Sequence, residues 1–376
     1  MPKFDKVKDF FIKRLLLSNI FKINIPGYLI TASYSIEGVK VAMRTIMVPD
    51  RFLINLEDIV EERLGKSGLN EIYKAGKGDG YYVAKITNFP KEEEIYKTLV
   101  PSFFGTLYAK EIQLKIKKTN HKVVAINLEV LEPAGSKKDR YSYWILGAWA
   151  GFFSSMLNNE KIECAVKNVQ GEKFSLINSD AEYLKSNNVA EVMEADVTGK
   201  LNILQYYANN KLPTNLPTDG ATIKKLMEEK ILTYEAGKMF LNKDQCRYIP
   251  FESFGLLQLE KSLPEDVIFE SSRKYFYELG KYYNGLKDPY LFLSMLMTAL
   301  GYGNVKVIKI NDKKSEVVFN GYPWFSEELS TTKVPFVRGA FSGFISAVSG
   351  KDINAQFLSS KIEKGMFNLS ISLEVK

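Results

Sequence analysis

The sequence predicts an α+β fold, two tandem copies of an antiparallel sheet with helices packed on one side. Three observations carry that expectation. The length of 376 residues exceeds what one hydrophobic core usually supports, since single cores stop growing near roughly 250–300 residues. A helix with glycines four apart is written twice, as GAWAGFFSS from Gly147 and GAFSGFISA from Gly339, with five of nine positions identical. Around each helix lie segments that alternate apolar and polar residues and can pair as hairpins.

Further anchors follow in the same order, as an internal repeat requires. Ile12–Leu15 (IKRL) matches Ile223–Leu226 (IKKL), and Pro49 matches Pro250 ahead of a helical stretch. Ile72–Lys77 (IYKAGK) matches Phe276–Lys281 (FYELGK). The offsets are 211, 201, 204 and, for the glycine helix, 192, so the differences are loop-sized insertions.

The elements of the first copy begin with a short helix near Ile12, then strands over Tyr28–Ser33 and Val39–Val48. Helices follow over Phe52–Leu64, Leu69–Lys77 and Glu93–Leu107. Strands Glu111–Lys117 and Lys122–Leu131 come next, the first alternating at Ile112, Leu114 and Ile116. The glycine helix, Tyr141–Leu157, and closing strands Ile162–Val166 and Lys173–Leu176 complete the copy. The second copy repeats the plan with a helix near Ile223, a strand region Ile231–Phe240, and helices Val267–Tyr283 and Tyr290–Leu300. Strands Val305–Ile310 and Glu316–Asn320, the glycine helix Val334–Val348, and strands Asn354–Leu358 and Met366–Val375 follow. Between the copies, Asn178–Gly220 is polar and rich in turn residues, with one amphipathic helix expected over Lys200–Ala208. The expected organisation is a first domain over 1–178, a linker over 179–220 and a second domain over 221–376.

Composition narrows the function. Apolar residues make up 45%, with 24 Phe and 21 Tyr, enough for a core in each half. The net charge of +7 is spread over interspersed lysines and glutamates, without the concentrated basic patch that nucleic acid requires. Two cysteines, Cys164 and Cys246, and one histidine, His121, supply neither a disulfide framework, nor a four-ligand zinc site, nor a triad built on histidine. No catalytic residue, metal or cofactor is expected. The first residues are charged too often for a signal peptide, which makes the cytoplasm the expected location. Tyr141–Leu157 has no charge over 17 residues, the lower edge of a spanning length. Its serines and glycines, and Arg338 in the matching segment, argue for a buried helix and not a membrane span.

Each candidate motif has a plain structural reading. Gly76–Gly80 (GKGDG) closes a helix where a phosphate loop would open one, so it reads as a C-cap and turn. His121 reads as an exposed hairpin-turn residue. Glu92–Glu94 reads as first-turn charge facing a helix dipole. Thr222–Leu241 has the look of a recognition helix and wing, but its start has the counterpart at Ile12. Gly147 with Gly151, and Gly339 with Gly343, strip side chains from one helical stripe so that another backbone can approach. Beside that stripe lie Trp144, Trp149, Phe152 and Phe153, and Phe336, Phe341 and Phe344. These aromatics pack a core or line an apolar pocket.

The pattern of Tyr73-x-x-Gly76 with Gly80, and of Tyr277-x-x-Gly280 with Gly285, resembles the 4-vinyl reductase domain. So does the later glycine-pair helix followed by two closing strands. That family is similar in fold to the small subunits of the TRAPP vesicle-tethering complex. The resemblance implies a small-molecule sensing domain, often dimeric, with a pocket between helices and sheet. It makes Tyr73, Trp149, Phe152, Phe153, Tyr277, Phe341 and Phe344 the candidate ligand-binding residues, and Gly147, Gly151, Gly339 and Gly343 the helix-packing ones. Many members bind zinc through a Glu and Cys cluster on the closing strands. Here Glu163 and Cys164 have no further cysteine beside them, and Cys246 lies far upstream, so that site is not expected. The function expected is a non-enzymatic module that binds an apolar small molecule or lipid, or acts as a pseudo-dimeric regulatory or assembly scaffold with a protein partner or with itself. A transcription regulator and a reductase acting on a tetrapyrrole vinyl group stand as alternatives.

Overall fold

The computed structural model describes residues 22–36, 39–87, 91–93, 97, 100–101, 105–189, 191–197, 217–235, 238–311, 313–323, 333–363 and 366–376. In chain order they form β1 (Lys22–Ile25), β2 (Tyr28–Ile36), β3 (Val39–Pro49), α1 (Asp50–Ile86), α2 (Gly105–Tyr108), β4 (Glu111–Thr119), β5 (Lys122–Leu131), α3 (Tyr143–Leu157), β6 (Ile162–Gln170), β7 (Lys173–Asp180) and α4 (Ala181–Ser186). There follow α5 (Ile223–Glu228), β8 (Leu232–Glu235), β9 (Lys238–Leu241), β10 (Arg247–Glu252), α6 (Ser253–Ser262), α7 (Glu265–Tyr282), α8 (Pro289–Ala299), β11 (Asn304–Lys309), β12 (Lys314–Asn320), α9 (Pro335–Ser349), β13 (Ile353–Glu363) and β14 (Met366–Val375). The fold is α+β with antiparallel sheets. No helix among the described residues is long and apolar enough to cross a membrane.

Two compact units hold these elements. The described residues of 57–201 and 234–239 form the first, and those of 22–56, 217–233 and 240–376 the second. The strands β1 to β3, placed by sequence in the 1–178 domain, belong to the second unit.

Each unit contains the same four-stranded sheet, ordered β4-β5-β7-β6 in the first and β11-β12-β14-β13 in the second. In each, a glycine-pair helix joins the second strand to the third and packs on the third, α3 on β6 and α9 on β13. A register shift falls between Val166 and Asn168 of β6, and another between Phe357 and Ser359 of β13, the same place in the two sheets. Such a bulge re-aims a strand and is a designed feature of a fold.

Local chemistry explains the helix limits. Ser142 caps α3 by accepting from the Ile145 amide, and Asn158 ends it in the left-handed region at φ 52°. Pro335 opens α9, where its missing N–H costs nothing. Gly65 breaks α1 with φ 60° and ψ −151°, a conformation that side chains rarely tolerate. In the second unit the break between α6 and α7 falls at Leu263 and Pro264.

Three expectations need correction. Gly76–Gly80 is neither a cap nor a turn: α1 runs through it to Ile86. Residues 181–197 do not behave as linker. Asp180 caps α4, and Leu184 and Val189 join Ala125, Ala165 and Ile177 in a core cluster on the first sheet. The helix after Pro250 is α6, which the sequence reading passed over. The expected helix at Lys200–Ala208, the Ile12 anchor and most of Glu93–Leu107 lie outside the described residues.

Strands β1, β2, β3 and β10 lie in the second unit and are neighbours in that order in a six-stranded sheet ordered β1-β2-β3-β10-β9-β8. At its middle β3 and β10 are antiparallel, with Pro49 opposite Tyr248, Met47 opposite Pro250, and Thr45 opposite Glu252. Met47 turns its amide away from β10 to the Leu300 carbonyl, 2.9 Å away.

Candidate functional site

The two glycine-pair helices do the same work. Residues four apart lie on one helix face, and in the first unit Gly147 faces the Tyr73 carbonyl and Gly151 the Lys77 carbonyl. In the second unit Gly339 faces the Phe269 carbonyl and Gly343 the Arg273 carbonyl. A Cβ at any of the four positions would overlap the facing oxygen. Backbone therefore lies against backbone in both pairs.

This geometry corrects the repeat alignment. Lys77 corresponds to Arg273, Tyr81 to Tyr277, and Tyr73 to Phe269, an offset of 196 where the sequence match gave 204. Gly76 lies against the Trp144 carbonyl; its counterpart Ser272 instead donates a hydrogen bond of 2.7 Å to the Phe336 carbonyl. A second anchor is a buried glutamate below the helix start. Glu57 accepts from the Ser142 hydroxyl (2.7 Å) and the Tyr143 amide (2.9 Å), and Glu260 accepts from the Phe336 amide (3.2 Å). Burial lifts the Glu57 carboxyl to about 7, opposed by the Ser142 hydrogen bond and the Arg140 charge.

The helix pair of the first unit buries a polar cluster. Lys77 is wholly buried, and its ammonium donates to Glu163 Oε1 and to the Ala195 carbonyl, each at 2.7 Å. The Tyr73 hydroxyl donates to Glu163 Oε2 at 2.7 Å and accepts from the Cys164 amide at 3.0 Å. The Ala195 amide donates to Glu163 Oε1 at 3.1 Å. Glu163 and Lys77 thus hold both backbone groups of Ala195 and pin the segment 191–197 in place. Burial raises the Glu163 carboxyl against the pull of Lys77, and burial followed by the Glu163 charge raises the Tyr73 hydroxyl well above its ordinary value. Burial likewise raises the Cys164 thiol. Beside Glu163 a groove of about 890 Å³ opens, lined by Glu160, Asp180, Glu182, Glu194 and Asp196.

The second unit places other chemistry in its interior. The Tyr275 hydroxyl donates to Asp244 Oδ2 at 2.9 Å and shares a 2.9 Å hydrogen bond with the Tyr248 hydroxyl. The Cys246 thiol donates to Asp50 Oδ1 at 3.3 Å, and its amide donates to Asp244 Oδ1 at 3.0 Å. Burial pushes the Cys246 thiol and both tyrosine hydroxyls well up.

The sequence candidates divide sharply. Tyr73 joins the buried cluster. Trp149 stacks on Phe153 at 5.9 Å, Phe152 meets Phe153 edge-on at 5.3 Å, and the Trp149 indole donates to the Tyr141 hydroxyl at 3.2 Å. Phe344 stacks on Phe292 at 5.6 Å, and Phe341 meets Phe319 edge-on at 5.9 Å. These rings fill the core of their units, and none lines the groove beside Glu163. Tyr277 is 39% exposed and lies under the Lys281 ammonium. His121 sits in the β4–β5 turn at φ 63°, exposed as expected. Lys77, Glu163 as its partner, and the Asp244 cluster escaped the sequence reading. A lysine framed by glycines four apart, facing a second glycine pair, was the available signal for Lys77.

No protein-family model matches the sequence, and no curated protein matches it. Solved structures of H-NOX proteins are similar over part of the chain. One, described as giving insights into H-NOX activation, has a TM-score of 0.24 at 10% identity and covers 37% of this chain and 77% of that one. Another, on heme distortion in the H-NOX family, has a TM-score of 0.24 at 12% identity, covering 34% and 73%. A third, described as a variant of Tt H-NOX, gives 0.23 at 12%, covering 34% and 73%. Likeness at this level carries no argument about function.

Proposed function

We propose that the chain is a non-enzymatic cytoplasmic module, a dimer fused into one polypeptide that serves as a regulatory or assembly scaffold. One observation carries the reading. Glu57 and Glu260 occupy equivalent places, an offset of 203, and the same offset relates Met47 to Pro250, which lie opposite each other in the six-stranded sheet. Thr45 and Tyr248 are then equivalents, as are Pro49 and Glu252, so the β3–β10 pairing maps onto itself when the copies are exchanged. A two-fold interface between identical subunits has this property. Its presence inside one chain supports the reading of a fused pair, held at the high effective concentration a covalent link provides.

The buried polar cluster supports the non-enzymatic half. Glu163 accepts from Tyr73, Lys77 and the Ala195 amide, so its oxygens serve internal partners. The kinship we propose is with tandem 4-vinyl reductase domains, supported by the glycine helix followed by two closing strands in each unit. Small-molecule binding is the second reading. It is favoured by the grooves that open beside the sheets, since the aromatic faces of the glycine helices are spent on the core.

Native mass spectrometry of the full chain tests the fused-dimer reading. It expects the mass of one chain, 42.8 kDa, and a partner protein retained at fixed stoichiometry when the protein is drawn from its own cell. An obligate homodimer that exchanges β3 between chains would sink it.

A further inference from the structure

The second unit carries a groove of about 680 Å³ between α8, the end of α9 and the open end of the four-stranded sheet. That size lies within the range of roughly 300–1,000 Å³ typical of small-molecule sites. Its floor is apolar: Val305, Val307, Ile353 and Leu373 line it, with Tyr290 and Leu291 on the helix side. The strand register explains the floor. Val307 lies opposite Val317, Lys309 opposite Ser315, and Ser315 opposite Leu373, so one face of the sheet passes from valine to lysine at the groove mouth. Leu291 is 57% exposed there, a large apolar side chain left in water.

The rim is cationic. Lys287, Lys306, Lys309, Lys313, Lys314 and Lys351 line the groove, and Asp288 is the single carboxylate among its lining residues. Glu374 pairs with Lys314 at 2.6 Å just outside. The groove of the first unit has the reverse sign, five acidic side chains and Glu163 against Lys161. Lysines with their stems along an apolar surface and their heads in water suit a ligand built the same way.

We infer that this groove binds a single-chain anionic amphiphile, a long hydrocarbon chain ended by a carboxylate or phosphate. The chain replaces water over Val307, Tyr290 and Leu291, beside the buried Val305 and Leu373, and the head group meets the lysine rim. The inference rests on the small-molecule part of the proposed function and is independent of the fused dimer.

Titration of the full chain with palmitate, read by calorimetry, tests it. Saturable binding of one palmitate per chain is expected. Lys309→Glu with Lys313→Glu should weaken it by at least about tenfold, and the control reversal on the first unit, Lys115→Glu with Lys122→Glu, by less than about twofold. Leu291→Glu, at an exposed position, should also weaken it, which keeps the test open if the double reversal fails to fold. Dodecyl phosphate should compete and dodecylamine should not. Absence of saturable binding by the folded parent overturns the inference. So does equal weakening by the two double reversals, or competition by the amine. A fused dimer that binds no palmitate would leave the scaffold reading standing, and a palmitate-binding homodimer would remove only the latter.

Discussion

The helix pair of the first unit and the helix pair of the second share one contact and differ in what they enclose. In both, two glycines four apart press on two carbonyls four apart. In the first, the residue bearing the second carbonyl is Lys77, turned inward to Glu163 with no exposed surface. In the second it is Arg273, which reaches Ser342 and then Asp352 at the surface, its side chain 39% exposed. The lesson is that close backbone packing fixes where a long cation starts, while the partner strand decides where it ends. Glu163 on β6 draws the cation into the interior. The Asp352 carboxylate, just before β13, draws it out.

The sharpest way to break this comparison is to remove one acid from each unit. Glu163→Ala leaves Lys77 buried with only the Ala195 carbonyl, and removing one partner of a buried pair costs about 3–5 kcal/mol. Urea denaturation of the full chain, with hydrogen exchange followed in β6 and β7, should show that loss and early release of 191–197. A loss below about 1 kcal/mol would mean that the cluster is not set in low dielectric.

The buried glutamates below the glycine helices give the next effect, through pH. Glu57 has its carboxyl raised to about 7 from an ordinary 4.5. The native state therefore holds that proton more tightly than the unfolded chain does. The stabilisation is full below pH 4.5 and is lost as pH rises through about 7, an effect on the order of 3 kcal/mol at most. Denaturation at pH 5, 6, 7 and 8 should show stability falling with pH, and Glu57→Gln should flatten that slope. An unchanged slope in the variant would assign the titration elsewhere.

Smaller still is the glycine contact itself. Gly151→Ala and Gly343→Ala should each cost about 1–3 kcal/mol, as overpacking does. Thermal unfolding of the two variants checks whether both helix pairs are equally tight. The least effect belongs to the exposed pair. Asp352→Asn should change stability by less than about 1 kcal/mol, and a larger change would give Arg273 a structural weight comparable to that of Lys77.

Much of the fold was legible. Alternation at Ile112, Leu114 and Ile116, and again at Phe367, Leu369, Ile371 and Leu373, marks strands that the structure contains as β4 and β14. The glycine helices were legible because their spacing has one geometric meaning. What failed did so for identifiable reasons. Glycine is a poor helix former, so Gly76, Gly78 and Gly80 read as the end of a helix. Tertiary packing against α3 overrides that preference. Tyr73 was matched to Tyr277 because both precede a glycine by three residues, while the contacts pair Tyr73 with Phe269. The Lys77–Glu163 pair joins residues far apart in sequence, and the exchange of β1 to β3 into the second unit depends on which edge meets which, information that periodicity does not hold.

The proline at the centre of the six-stranded sheet has a further consequence. In antiparallel strands, facing residues alternate between pairs that exchange two hydrogen bonds and pairs that exchange none. Met47 sends its amide to Leu300, so Met47 and Pro250 form a pair of the second kind, where a missing N–H takes nothing from the ladder between β3 and β10. A slip by one residue would turn every side chain to the opposite face and bring Pro250 into a position that demands a donor it lacks. The imino acid is a tooth that fits one notch, and it locks the alignment of the strands that meet there.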